Sequence, residues 1–385
     1  MTDLNGLSDP VALTQRLLGT NTVNPPGNEH APCDIVEPLL VRLGFSTERH
    51  SFAPGRETLI ARPQRVAGKL LCFTGHLDTV PLGSVPWTTD PWGSTIADGK
   101  LYGRGSSDMK GGVAAFLSAL ARTRMDAPGV DIPVVLVLTA GEETGCEGAS
   151  ALPASLGREL PVSAMLVGEP TGNQMRLGHK GALWLKAEAT GRTAHASTPE
   201  LGDNAIYHAV DAIAAVRRFE VKPGFDALLG AATLNVGTVS GGLNVNSVPD
   251  HAEFSVDIRT VGKQGGDATF AELQSYLGQR IQLRATLNVP ALLSDASHPW
   301  MQAVERCIAE VMGPALAGPR AAAFFTDGPA LQRLFGDIPT AVLGPGEPAC
   351  AHITDEYIHI GRLRDAVSIY QRIVQHQFSS SSTAR

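Results

Sequence analysis

The chain is 385 residues long, 43% hydrophobic and 18% charged, with a formal net charge of −7 at pH 7. That composition excludes a disordered or fibrous chain, and the length makes two domains the expectation. The acidic balance, with no basic stripe, argues against nucleic acid as a partner. Five cysteines (Cys33, Cys72, Cys146, Cys307 and Cys350) are scattered and never form a C-x-x-C pair. This is a reduced-thiol pattern, not a disulfide framework or a thiolate metal site. The opening MTDLNGLSDPVALTQRLLGT has no positive segment followed by an apolar one. No apolar run approaches the roughly 18 residues that read as a bilayer span. The cytoplasm is therefore the expected compartment, with no membrane partner.

Residues 9–19 (DPVALTQRLLG) predict an opening helix, with Asp9 as N-cap and Pro10 at its first position. A second helix is expected over 31–43, ended by Gly44. KLLCFTGHLDTV (69–80) reads as a buried strand that emerges into polar residues at its carboxyl end. Residues 85–108, crowded with Gly, Pro and Asp, form a long loop, and such loops inside compact domains are usually functional. MKGGVAAFLSALARTR (109–124) has the small and apolar residues of a helix packed on a sheet. IPVVLVLTAGEETG (132–145) and AMLVGEPT (164–171) are two further buried strands. Strand, helix and strand at these intervals predict the α/β class with a mostly parallel central sheet.

Near residue 178 the pattern changes. HKGALWLKAEATGR alternates apolar and polar residues, as a half-exposed antiparallel strand does. A helix over 203–218, strands at ATLNVGTVSGG and AEFSVDIRT, and a helix over 267–280 follow. This order predicts a small α+β module, 178–290, inserted between the two parts, 1–177 and 291–385, of a larger domain. HPWMQAVERCIAEVMG then reads as a helix and 339–346 as a strand. The last fifteen residues or so, ending in SSSSTAR, read as a frayed tail. No internal repeat is present.

Five short motifs carry the chemistry. In GHLDTV, His76 and Asp78 share a face of an extended chain. His76 either binds a metal with Asp78 behind its other ring nitrogen, or is a capped surface histidine. In GRGSSDMKGG, Asp108 is either a helix N-cap or a carboxylate bridging two cations. In TAGEETG, Glu142 and Glu143 close a buried strand, where carboxylates are costly to bury. One can ligate while the other acts as general base; a solvated loop is the plainer alternative. LVGEPT places Glu169 at the end of another apolar strand, and CAHITDEY places His352 after a Gly-Pro-Gly turn. Two imidazoles and several carboxylates on one expected sheet edge suit a hard or borderline dication. Zinc is the commonest choice for hydrolysis, and two ions sharing a carboxylate account for the number of ligands.

GHLDTVP, the W-x-x-x-P-W segment from Trp87 to Trp92, DGKLYGRGSSDMKGG, GEETG, GEPT, GRTAHAS and NSVPD together resemble the M20 metallopeptidase family. The branch is that of acetylornithine deacetylase and succinyl-diaminopimelate desuccinylase, and the resemblance covers essentially the whole chain. It implies a zinc-peptidase-like catalytic domain with an inserted ferredoxin-like lid and dimerisation domain. It also implies two Zn2+ ions, with Co2+ as a substitute. His76 and Glu169 would hold one, Glu143 and His352 the other, and Asp108 would bridge them. Glu142 would be the general base, Asp78 the partner of His76, and the Asp108–Met109 peptide would be cis. His195 would stabilise an oxyanion, and Arg259, Asn246, Thr326 and Gly346 would bind substrate. The implied partners are a small N-acyl amino acid or dipeptide-like substrate and a second copy of the chain.

The implied activity is amide hydrolysis of the acetylornithine deacetylase kind, since FFTDGPALQ carries Pro329 where desuccinylases have arginine. AHITDEY departs from the deacetylase sequence at Ile353 and Thr354. That leaves desuccinylase, aminoacylase, deformylase and carboxypeptidase or dipeptidase activities open. Retention of Glu142 argues against a non-catalytic binding protein, and the lack of a G-x-S-x-G elbow argues against a serine hydrolase.

Overall fold

The computed structural model describes residues 5–66, 68–93, 95–263, 265–314 and 320–382. The chain divides into two compact units. One comprises Met1–Gly178, Ser294–Ala322 and Thr326–Arg385; the other comprises His179–Leu293 and Ala323–Phe325.

In the first unit, helix α1 (Pro10–Leu18) starts at Asp9, whose carboxylate accepts the Val11 N–H at 3.0 Å. Helix α2 (His30–Arg42) ends before Gly44, which sits at φ +89°. Strands β1 (Phe45–Ala53), β2 (Arg56–Pro63), β3 (Leu70–His76), β4 (Val134–Thr139), β5 (Val162–Val167) and β6 (Thr340–Val342) form one sheet. Their order is β1-β2-β4-β3-β5-β6. The last four in that order run parallel, and the β1–β2 hairpin adds an antiparallel edge. Every residue of β3 and β4 is buried, as parallel strands covered on both faces must be.

Helices α3 (Gly111–Asp126), α4 (Pro299–Met312) and α5 (Ile360–Ser382) belong to the same unit. Phe73 of β3 stacks on Phe116 of α3 with ring centroids 3.8 Å apart, and Tyr370 of α5 packs against both. Burying each such ring stabilises the fold by roughly 2 kcal/mol. The Tyr370 hydroxyl avoids a desolvation cost by donating to Leu343 O at 2.7 Å.

Three expectations change. The 85–108 segment carries its own short hairpin, Ile96–Ala97 with Lys100–Tyr102. Helix α3 starts at Gly111 because Ser106–Lys110 forms a wider turn before it. The serine-rich end continues α5 to Ser382 instead of fraying from about 371, while 383–385 lie outside the described residues. The apolar spacing Leu363, Ala366, Val367, Tyr370, Ile373 and Val374 buries one stripe of that helix.

The second unit holds a four-stranded antiparallel sheet in the order Thr233–Gly241, His251–Thr260, Gly181–Thr190, Ile281–Val289. With helices Ala205–Val216 and Asp267–Leu277 it follows the β-α-β-β-α-β order of ferredoxin-like modules. Leu183, Leu185, Ala187, Phe254, Val256 and Ile258 point from the two central strands into a core shared with Ala205, Ala209 and Leu273. Among the described residues, no helix is long and apolar enough to cross a membrane.

Candidate metal centre

The sheet register sets the first half of the site. His76, the last residue of β3, pairs with Thr139 on β4, and Thr74 pairs with Val167 on β5. The residues just beyond β4 and β5, Glu142–Glu143 and Glu169, therefore flank His76 at the carboxyl edge, where open α/β sheets place ligands. The Nδ1 atom of His76 lies 3.0 Å from the backbone carbonyl of Asp78, and 3.6 Å from its carboxylate. A proton on Nδ1 donated to that carbonyl leaves the Nε2 lone pair facing Asp108 Oδ1 at 3.0 Å and Glu169 Oε1 at 3.7 Å.

The Asp78 carboxylate has a further task. It accepts the Glu142 and Glu143 N–H groups, each at 3.2 Å, and the Asn24 side-chain amide at 2.9 Å. The same Asn24 amide donates to Thr144 Oγ1 at 2.9 Å. The strand carrying His76 and the turn carrying both glutamates are thus tied through one buried carboxylate.

The second half comes from two loops. Asp108 precedes α3, and its peptide bond to Met109 is cis. His352 follows β6 and sits at φ +63°, in the left-handed region that residues other than glycine adopt infrequently. Its Nε2 lies 3.3 Å from Asp108 Oδ2 and 3.1 Å from Glu143 Oε2. Two triads result, His76–Asp108–Glu169 and Asp108–Glu143–His352, each with its ligand atoms within 4.8 Å of one another. Asp108 belongs to both.

Charge is unbalanced here. Asp78, Asp108, Glu142, Glu143 and Glu169 outnumber the two imidazoles even when both imidazoles are protonated. Burial opposes the charge on His76, yet Glu169, Asp108 and Asp78 outweigh it and hold the ring well above its usual range. His352, hydrogen-bonded to Asp108 and then to Glu143, is pushed up to about 10. Burial and then Glu169 push Glu142 well above the usual carboxylate range. Burial and then Asp108 do the same to Glu169 and also raise Glu143. Glu142 Oε1 and Glu143 Oε1 are buried without a hydrogen-bond partner, an arrangement that is costly unless a cation takes the free lone pairs. An oxygen-rich donor set with single imidazoles, shared through one carboxylate, fits two hard or borderline divalent ions.

The remaining residues named from the sequence lie elsewhere in the chain. Thr326 is buried and accepts the Gly328 N–H at 3.1 Å, just before helix Gly328–Phe335. At Gly346 a Cβ would fall 2.2 Å from Ser107 O, so the backbone itself needs glycine there. His195, Asn246 and Arg259 belong to the second unit. There the His195 ring lies 2.7 Å from the Ser197 hydroxyl, and the Asn246 carbonyl accepts the Ala196 N–H at 3.0 Å. Arg259 pairs with Asp257 at 2.9 Å. Sequence reasoning missed Asn24, Arg104, Asp327 and Glu356. Asp327 is buried behind the glutamate turn, where Thr139 donates to it at 2.5 Å. Arg104, Asp327 and Glu356 lie inside quoted motifs and Asn24 near none, and a buried group that serves a loop or another side chain leaves no periodic signature.

Three comparisons bear on this geometry. The family described as peptidase family M20/M25/M40 matches residues 72–376. A probable succinyl-diaminopimelate desuccinylase of Staphylococcus aureus (strain MSSA476) is 28% identical over 367 residues, covering 86% of this chain and 88% of the relative. An acetylornithine deacetylase of Vibrio vulnificus (strain CMCP6) is 30% identical over 348 residues, with the same two coverages of 86% and 88%. Among solved structures, an M20 family metallo-carboxypeptidase from Sulfolobus solfataricus superposes with a TM-score of 0.79 at 19% identity, covering 95% of this chain and 98% of that one. At that identity the likeness speaks for the fold alone.

Proposed function

Because the chain belongs to peptidase family M20/M25/M40, we propose that it hydrolyses the amide bond of a small N-acyl amino acid, in the manner of an acetylornithine deacetylase. The observation that carries this reading is the pair of triads sharing Asp108, with the buried Glu142 beside them. His76 and Glu169 would hold one divalent ion, Glu143 and His352 the other, and Asp108 both. Zinc is the proposed native ion and cobalt its substitute. Bound there, the ions would supply positive charge to polarise the substrate carbonyl and to acidify a water.

The chain's own groups do the rest. Glu142 takes a proton from the attacking water as the oxygen bonds to the carbonyl carbon. It then delivers that proton to the amine nitrogen as the carbon–nitrogen bond breaks, leaving a carboxylic acid and a free amine. Asp78 holds the His76 ring and the Glu142–Glu143 turn in one arrangement. His195 is assigned to the carbonyl oxygen as negative charge develops on it. Arg259 and Asn246 are assigned to the substrate carboxylate and amide, and Thr326 and Gly346 to further substrate contacts.

A homodimer formed through the inserted unit is part of this reading. Exposed Tyr207 and Val210 on helix Ala205–Val216, and Val239 on the edge strand, support it. A cytoplasmic location is supported by five unpaired cysteines, all buried.

Desuccinylation is the second reading, favoured by the desuccinylase relatives. Pro329, at the start of helix Gly328–Phe335, offers no charge for a second substrate carboxylate, which is why deacylation of a monoacid side is put first. A panel of N-acetyl, N-formyl and N-succinyl amino acids and dipeptides, ranked by kcat/KM on zinc-loaded protein, separates these readings from the aminoacylase and carboxypeptidase alternatives. Glu142→Gln should bind zinc as the wild type does and lose at least about 100-fold in kcat; activity within tenfold of wild type removes Glu142 as the base. His195→Ala should lower kcat with zinc content unchanged, and an unaltered kcat would remove it from the oxyanion.

A further inference from the structure

Glu356 is fully buried, four residues beyond His352. Both of its oxygens serve one loop. Oε2 accepts from Arg104 Nη1 at 2.7 Å and from the Gly105 N–H at 3.0 Å. Oε1 accepts from the Ser107 N–H at 2.8 Å and from the N–H of Asp108 itself at 3.0 Å. The Glu356 carbonyl takes the Gly103 N–H at 2.9 Å, and the Ser107 hydroxyl donates to Tyr357 O at 2.7 Å. Gly105 sits at φ +88°, and a Cβ there would lie 2.7 Å from Thr79 Cγ2. The loop can therefore curl its N–H groups around the carboxylate only with glycine at that point.

Charge balance alone does not explain this arrangement. Neutralising the buried Arg104 needs one oxygen of Glu356. The other oxygen is spent on two backbone amides, one of them belonging to the residue common to both triads. Burial pushes the Glu356 carboxyl up to about 7 against the pull of Arg104 and the loop amides, and the four donors converging on it fix the loop in place.

We propose that Glu356 is a positioning residue for the metal centre. It holds the backbone of Asp108 in register with His352, so that one short segment, His352–Glu356, supplies a ligand to one triad and sets the carboxylate that joins the two. This inference rests on the two-ion reading above. Hydrogen-bonding partners behind metal ligands typically contribute about 10–100-fold in metal affinity, and Glu356 reaches both triads through Asp108.

Glu356→Gln tests it. The side-chain amide must turn its NH2 toward N–H donors at one of its two positions, breaking the cradle without changing its size. Zinc affinity is measured by competition with a chromophoric chelator, beside wild type and Tyr370→Phe. The latter loses a buried hydrogen bond to Leu343 O away from the metal ligands and reports on stability alone. The expected result is a folded Glu356→Gln protein whose zinc affinity falls fivefold or more, while Tyr370→Phe melts earlier with its affinity unchanged. A smaller loss in Glu356→Gln, or an equal loss in Tyr370→Phe, overturns the proposal. If Glu356→Gln does not fold, Glu356→Asp keeps the charge opposite Arg104 but draws the oxygens back, and the same threshold decides. A wild-type protein that binds no zinc overturns the two-ion reading itself, which is a different result from tight wild-type binding that the variants leave unchanged.

Discussion

Asn24 shows how much of this site is held by residues that touch no ligand atom. Its side-chain amide divides between Asp78 Oδ2 and Thr144 Oγ1, both at 2.9 Å, and the residue is buried. Thr144 in turn donates to Glu147 at 3.0 Å, and Glu147 faces Arg56 at 3.5 Å. Removing the amide leaves an oxygen of a buried carboxylate short of a donor, which costs about 1–3 kcal/mol. Asn24→Ala should therefore lower the thermal midpoint and weaken zinc binding, because Asp78 also fixes the Glu143 amide. Asn24→Asp should be worse, since it sets a second carboxylate against Asp78. Melting curves and chelator competition on the two variants check this, and equal behaviour of the pair would remove the role given to the amide's donor group.

At the scale of elements, the site depends on how closely α3 approaches β5. Gly112, in the first turn of α3, lies where a Cβ would be 2.2 Å from Gly168 O, one residue before Glu169. No flexible side chain can yield there, since the obstructing atom is backbone. Gly112→Ala should cost about 1–3 kcal/mol as an overpacking change. It should also weaken zinc binding without altering a single ligand, because the helix must move off the strand end that carries Glu169. A variant with wild-type stability and affinity would show that the helix can shift freely. Such elements divide in how well the sequence reveals them. The parallel strands are legible because LLCF and VVLVL are unbroken apolar runs, and the ligands stand out because histidine and carboxylates come soon after those runs. The β1–β2 hairpin is not, because FSTERHSFA is mostly polar and only partly buried, as an edge strand can be. Helix α5 is hidden differently: its apolar stripe is regular, but the serine run at its end reads as a tail. Glu356 and Asn24 escape notice because their partners are loop amides and a side chain more than 50 residues away.

For the whole molecule, the acidic centre makes the stability of the metal-free fold and the increment that metal adds depend on pH in opposite ways. In metal-stripped protein the folded pKa of His352 is about 10, against an ordinary value of 6.5. Its folded form therefore binds more protons than the unfolded chain between those values. That contribution is fully present below pH 6.5 and is lost as pH rises toward 10. Glu142, Glu143 and Glu169, all raised above 4.5, act in the same direction, each stabilising the folded state as it gains a proton. Asp78 and Asp108 are lowered instead and contribute only above the usual carboxylate range, so they do not oppose the trend near neutrality. His352 is half-exposed, and solvent reduces its share. The stripped protein should accordingly melt at a higher temperature at pH 6.5 than at pH 9. Ions bound to the native state but not the unfolded chain add stability that grows with their concentration over Kd. They also need the same ligands free of protons, so the zinc-induced rise in Tm should grow with pH over that interval. Paired melts of stripped and zinc-loaded protein across pH 6.5–9 measure both slopes. Opposite slopes would mean that the carboxylates and imidazoles of this site exchange protons for cations as one unit. A zinc increment independent of pH would mean that the ions are held by groups other than the two triads.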